Sequence, residues 1–152
     1  MSRPRAESEG SASTAGDEPR SALTYDDLPK EIKGVIKDYV AFTNAELRAA
    51  VREYFRDKAA CERRHGKIGT WNVKYVTDMR ALFYERCDFD EDIGAWDTSR
   101  VQDMSWLIYD CVAFSHDLSR WDVSSVRTAR FAFRSGFPFE KRPAFDLSLY
   151  NY

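Results

Sequence analysis

Long apolar runs are missing from this 152-residue chain: no stretch of about eighteen consecutive apolar residues occurs, so no helix is expected to span a membrane. The N-terminus also lacks the apolar core of a secretion signal. The expectation is a soluble, intracellular protein, with the cytoplasm favoured. Cysteine is scarce. Cys61, Cys87 and Cys111 are odd in number and form no C-x-x-C pair, which fits free thiols in a reducing compartment better than a disulfide scaffold. Neither charge is in excess: 23 basic against 25 acidic residues leave a net charge of −2, too little to steer the chain toward nucleic acid or anionic lipid.

Residues that do chemistry are few. His65 and His116 are the only histidines, and no G-x-S-x-G, H-E-x-x-H, Gly-rich phosphate loop or paired-cysteine zinc motif occurs. A nucleophile, its base and an oxyanion donor are therefore never supplied together, so catalysis is not expected, nor a cofactor or metal. Asp88, Asp90 and Asp92 imitate the start of a calcium loop, but Ile93 stands where that loop needs Gly and Ser99 where it needs Glu. An oxygen shell cannot close there. Residues 1–22 hold no aromatic side chain and too little apolar surface to offset the entropy of ordering, and read as a flexible tail.

What the chain does have is a period. Trp71, Trp96 and Trp121 fall at a constant step of 25 residues, and Ile68, Ile93 and Leu118, then Val76, Val101 and Val126, then Phe89, Phe114 and Phe139 keep that step. The first two repeats agree at ten of 25 positions, where composition alone would give roughly one or two. Such a period marks an array in which each unit buries its apolar face on its neighbour. Trp71, Trp96, Trp121, Phe89, Phe114, Met79 and Met104 are the expected core. The aromatic residues of the repeats hold fixed places, as core residues must, so base stacking on nucleic acid is not expected.

Ahead of the array, Leu28, Ile32, Val35, Ile36, Tyr39 and Val40 predict a short amphipathic helix. Thr43 and Glu46 then form a capping box, with Phe42 and Leu47 as its hydrophobic staple. The second helix carries the stripe Leu47, Val51, Tyr54, Phe55 and runs to Arg63, Arg64 and His65, with Gly66 as its stop. Inside each repeat, Asp78, Asp103 and Thr128 stand as helix N-caps before apolar sets such as Met79, Leu82 and Phe83. Short strands follow at 89–93 and 114–118. Asp97 and Asp122 read as turn caps beside buried tryptophans, since propeller blades need a period of about 40 to 45 residues. Pro143 falls where Ile93 and Leu118 stand, so the third unit should be terminal, with Phe145, Leu147, Leu149 and Tyr150 folding over its open end. The predicted layout is a tail at 1–22, a two-helix N-terminal cap at 23–66, a three-repeat solenoid at 67–143 and a C-terminal cap at 144–152.

The stretches IGTWNVKYVTDMRALF from Ile68, IGAWDTSRVQDMSWLIYDCVAF from Ile93 and LSRWDVSSV from Leu118 resemble the BspA-like repeat of bacterial lipoproteins and protist surface proteins. That repeat reads approximately I-x-x-W-D-V-S-N-V-T-D-M-S-x-M-F-x-G-C-x-x-F-N-x-D. The lead-in FTNAELRAAVREYFRDKAACERRHG is similar to the helix that commonly precedes such arrays. Arg86 and Gly136 depart from the pattern at its Cys, and Asn72 departs at its first Asp. The resemblance implies an α/β fold, a short right-handed leucine-rich-repeat-like solenoid behind a helical cap, and a binding role without catalysis.

The functional expectation is a protein–protein interaction or assembly module, an accessory subunit of a larger complex. Positions that differ among repeats should face solvent, and Asp90, Glu91, Ser115, His116, Glu140 and Lys141 form the candidate row for partner contact. The edge at Arg80 and Arg130 is its alternative. A second functional reading rests on Leu28 and Pro29 followed by Ile32 and Ile36, a faint likeness to an F-box opening that would make the chain a substrate adaptor of a ubiquitin ligase.

Overall fold

The computed structural model describes residues 29–32 and 41–146. The expected tail, most of the first helix with Leu28 and Ile36 of its F-box-like residues, and Leu147, Leu149 and Tyr150 lie outside them. No helix among the described residues is long and apolar enough to cross a membrane.

Helix α1 (Asn44–Arg56) begins where the capping box places it. The Thr43 hydroxyl accepts the Glu46 N–H, and the Glu46 carboxylate accepts the Thr43 N–H at 2.9 Å. Leu47, Ala50, Val51 and Tyr54 form its buried face, and Phe42 is wedged between His65 and Trp71 at ring distances of 5.4 and 5.1 Å. The single helix expected from 43 to 66 is in fact two. Asp57 leaves helical geometry at φ −152°, and its carboxylate accepts the Ala60 N–H to open α2 (Lys58–His65). Aspartate is a poor interior residue and a strong N-cap, so the sequence restarts there. Gly66 ends α2 at φ 74°, a region that favours glycine.

The repeats then pack on one another and on α1. Each tryptophan indole donates backward: Trp96 Nε1 to Ile68 O at 2.9 Å, Trp121 Nε1 to Ile93 O at 3.1 Å, and Trp71 Nε1 to Gly66 O at 3.0 Å. Gln102 and Asp103 send their N–H groups to Thr77 O, and Arg127 and Thr128 send theirs to Gln102 O. The first repeat has no predecessor. There the Asn44 side-chain oxygen accepts the Thr77 and Asp78 N–H groups at 2.8 and 3.2 Å, standing in for the missing carbonyl. Trp71, Trp96 and Trp121 are nearly inaccessible, and Met79, Met104, Phe89 and Phe114 are fully buried with them.

The expectation of a leucine-rich-repeat-like solenoid of helix, strand and turn is overturned. Among the described residues no strand forms: Asp78, Asp103 and Thr128 are joined by isolated parallel bridges, as are Ile108 and Phe133. No α-helix lies in the repeats, only the single turns η1 (Ile68–Thr70) and η2 (Phe139–Lys141). Where helices were expected, the Met79, Ala81, Phe83 and Glu85 N–H groups donate instead to Asp103, Ser105, Leu107 and Tyr109 O. Ala81, Glu85, Trp106, Asp110 and Phe131 have φ of 50° to 60°, which no helix or strand tolerates. Asp78 and Asp103 cap turns rather than helices, each accepting the N–H two residues on at 2.8 Å. Asp92, Asp97, Asp117 and Asp122 do the same.

This backbone makes a signed prediction. Ala81→Gly is expected to raise stability by about 1 kcal/mol, because glycine enters the left-handed region without the steric cost alanine bears there. In a helix the same change would lower stability by about as much. Thermal melting of the variant decides between the two backbones.

The third repeat slips. Phe139 does not join the core and is 74% exposed, whereas Phe137 is 2% exposed and fills its place, with ring centroids 5.8 Å from Phe114 and 5.5 Å from Phe133. The left-handed residue sits at Glu85 and Asp110 in the first two repeats but at Gly136 in the third, one place later, where φ is 78°. The turn between Gly136 and the buried ring is correspondingly shortened, and Phe137 takes the inward place. Arg142 then closes the far end, donating to Phe137 O from Nε at 3.1 Å, while Phe145 packs on Phe133 at 5.8 Å.

Candidate interaction surface

The equal register of neighbouring repeats brings most of the predicted row together. Ser115 donates to the Asp90 carboxylate from N at 3.0 Å and from Oγ at 3.1 Å, and His116 Nε2 lies 3.0 Å from Asp90 O and 3.3 Å from its carboxylate. Lys141 Nζ donates to Ser115 O at 2.6 Å. Glu140 is exposed in η2. Glu91 faces the helices instead, accepting the Tyr54 hydroxyl at 2.8 Å and pairing with Lys58 across a cleft of about 250 Å³. The Lys58 bond holds the Glu91 carboxyl below the ordinary range, and burial pushes the Tyr54 hydroxyl up to about 12. Arg86, where the resembled motif has Cys, lies 4.4 Å over the Phe55 ring. Much of the row's hydrogen-bonding capacity is thus spent inside the protein.

The thiols divide by burial. All three are free, Cys87 exposed and Cys61 and Cys111 buried. Burial raises the Cys111 thiol to about 12.

A second face carries aromatic surface. Trp106 and Phe131, with φ of 60° and 50°, point away from the buried places held by Met104, Leu107, Ala129 and Ala132. Beside them stand Tyr84 and Tyr109. Trp106 packs against Phe131 at 4.5 Å, Tyr109 at 5.0 Å and Tyr84 at 5.9 Å. Tyr84 and Phe131 are both 37% exposed, and Trp106 and Tyr109 are half-buried. Arg80 and Arg130 are exposed along one border, neither of them in an ion pair among the described residues, and Glu85 and Asp110 are exposed along the other. The Tyr84 hydroxyl is raised chiefly by its bond to the Glu85 carboxylate.

Sequence reasoning named the Arg80 and Arg130 edge as an alternative contact surface but assigned the repeats' aromatic residues to the core, and so missed the rings beside that edge. A signal was present: Trp106 and Phe131, and Tyr84 and Tyr109, also stand 25 apart, although Met79, Leu82, Phe83 and their equivalents already fill the inward places. Strained left-handed backbone under a bulky residue persists only where its surroundings impose it, and it concentrates at functional sites.

No curated protein and no solved structure matches the chain. A family model described as "Mycoplasma protein of unknown function, DUF285" matches residues 49–149, a span that takes in part of α1, all of α2, every tryptophan of the repeats and the whole aromatic face. The chain belongs to the DUF285 family.

Proposed function

We propose that this chain is a non-catalytic protein-interaction or assembly module that contacts its partner through the aromatic face. The observation that carries this reading is the surplus of rings outside the core, Tyr84 and Phe131 exposed and Trp106 and Tyr109 half-buried, on a protein whose interior is already filled by other aromatic residues. Contiguous exposed apolar surface bordered by charge marks interaction sites. Tryptophan, tyrosine and arginine are also the residues that dominate binding energy at interfaces. The resemblance of the repeat motif to BspA-like surface proteins supports a binding role as well.

The test sets the two faces against each other. Affinity capture from native extract is expected to lose its partners with Trp106→Ser/Phe131→Ser and with the charge reversal Arg80→Glu/Arg130→Glu. The triple variant Glu91→Ala/His116→Ala/Lys141→Ala should retain them. Circular dichroism and melting check that each variant folds. Undiminished recovery with the folded Arg80→Glu/Arg130→Glu protein would move the site off the aromatic face, and loss with the triple variant alone would place it on the polar row.

A further inference from the structure

The aromatic face has a spacing as well as a composition. Ala81 N donates to Ser105 O at 2.8 Å and Trp106 N to Arg130 O at 2.9 Å, so residues 80, 105 and 130 occupy successive rungs. Paired backbones lie about 4.8 Å apart, which puts Arg80 and Arg130 about 10 Å apart along the stack. Between them Ser105 is buried, its hydroxyl engaged by Thr128 at 3.1 Å. Trp106, next in sequence, carries the half-buried ring of the middle rung, 4.5 Å from Phe131 and 5.9 Å from Tyr84. Arg80 and Arg130, exposed and in no ion pair among the described residues, stand on the two outer rungs of the stack that carries the ring cluster.

Resting on the interaction reading above, we propose that this face binds an acidic, proline-containing segment of another protein in the polyproline II conformation, with carboxylates at positions i and i+3. Polyproline II advances about 3.1 Å per residue with three residues per turn, so side chains at i and i+3 share one side about 9 Å apart. That interval fits the two arginines. An extended strand would also present backbone N–H groups to a face of rings that offers few acceptors, a cost a proline-containing segment avoids. Each guanidinium offers a forked pair of donors to a carboxylate. The residues between the two acids, proline by preference, lie on the rings of Trp106, Tyr109 and Phe131. Proline brings no N–H in need of an acceptor, while the segment's carbonyls can meet the Trp106 indole N–H and the Tyr109 hydroxyl. Glu85 and Asp110 on the far border repel the same carboxylates and fix which way the segment lies.

The experiment uses the full chain and fluorescently labelled synthetic peptides of the form Pro-Glu-Pro-Pro-Glu-Pro-Pro, with anisotropy as the readout. Saturable binding is expected, weakened at least about tenfold when both Glu are replaced by Lys or when they are made adjacent. Arg80→Glu/Arg130→Glu should lose the acidic peptide and gain the lysine peptide, a swap that misfolding cannot produce. Peptide-induced change in tryptophan emission should vanish in Trp106→Phe while the three buried tryptophans still report a folded protein. Equal binding of acidic and basic peptides, tighter binding of a single-stranded oligouridylate, or concentration-dependent self-association abolished by Arg80→Glu/Arg130→Glu would each overturn the assignment. So would absence of peptide binding. If partner capture still depended on Arg80 and Arg130 in that case, the interaction face would stand and only its occupant would be wrong.

Discussion

Trp96→Ala is expected to cost about 3 to 5 kcal/mol, the range for truncating a buried aromatic, and to leave the repeats largely unfolded at 37 °C. The ring is 3% exposed, lies 5.9 Å from Phe83, and its Nε1 holds Ile68 O at 2.9 Å. Truncation opens a cavity and strips Ile68 O of one of its two donors, leaving only the Trp71 N–H at 3.2 Å, and the two losses fall on one junction. A domain of this size has only about 5 to 15 kcal/mol in all. Chemical denaturation is the measurement. Trp96→Phe should recover part of the loss by refilling volume without restoring the hydrogen bond. A midpoint for Trp96→Ala equal to that of the wild type would contradict the packing described.

Gly69→Ala is the second large effect and acts by the opposite route, adding one carbon instead of removing many. A Cβ at Gly69 would lie 2.2 Å from Asp92 O, and one at Gly94 would lie 2.7 Å from Asp117 O. Both obstacles are backbone of the following repeat, which cannot rotate aside as a side chain would. Overpacking of this kind costs about 1 to 3 kcal/mol, and the upper end applies where the whole junction must part. Gly94→Ala should cost less, in keeping with its longer approach, and the order of the two melting temperatures checks the geometry. The third repeat carries Ser119 at the matching place.

The core and the caps were readable in the sequence for different reasons. Trp71, Trp96, Trp121, Met79, Met104, Phe89 and Phe114 declared themselves by repetition, since a place filled alike in neighbouring repeats must meet the same surroundings in each. Thr43 and Glu46 declared themselves by local chemistry that needs no tertiary context. The backbone of the repeats was not readable. An i to i+3 turn such as that closed by Leu82 N on Met79 O sets the same side chains inward as a helix does, so apolar periodicity cannot separate the two. Only φ separates them, and Ala81, Trp106 and Phe131 are not residues whose identity announces a positive value. The same ambiguity hid the aromatic face, because in a helix of that register Trp106 reads as one more variable position. Phe139 misled through the period itself. Near Gly136 the register slips, so that Phe137, two places earlier, takes the core position and Phe139 turns outward.

The indole-to-carbonyl bonds bear on how such a chain can change through heredity. Each joins a repeat only to the one before it, and each repeat carries both halves of the contact: the Ile carbonyl it offers and the indole it donates. A recombination event that duplicates one whole 25-residue unit, such as 93–117, therefore creates a new junction already furnished on both sides. It leaves Asn44 at one end and Arg142 at the other undisturbed. Duplication by any other length would put each indole out of register with the Ile carbonyl it meets now. A whole 25-residue unit is thus the insertion that this hydrogen-bond pattern accommodates without changing either end.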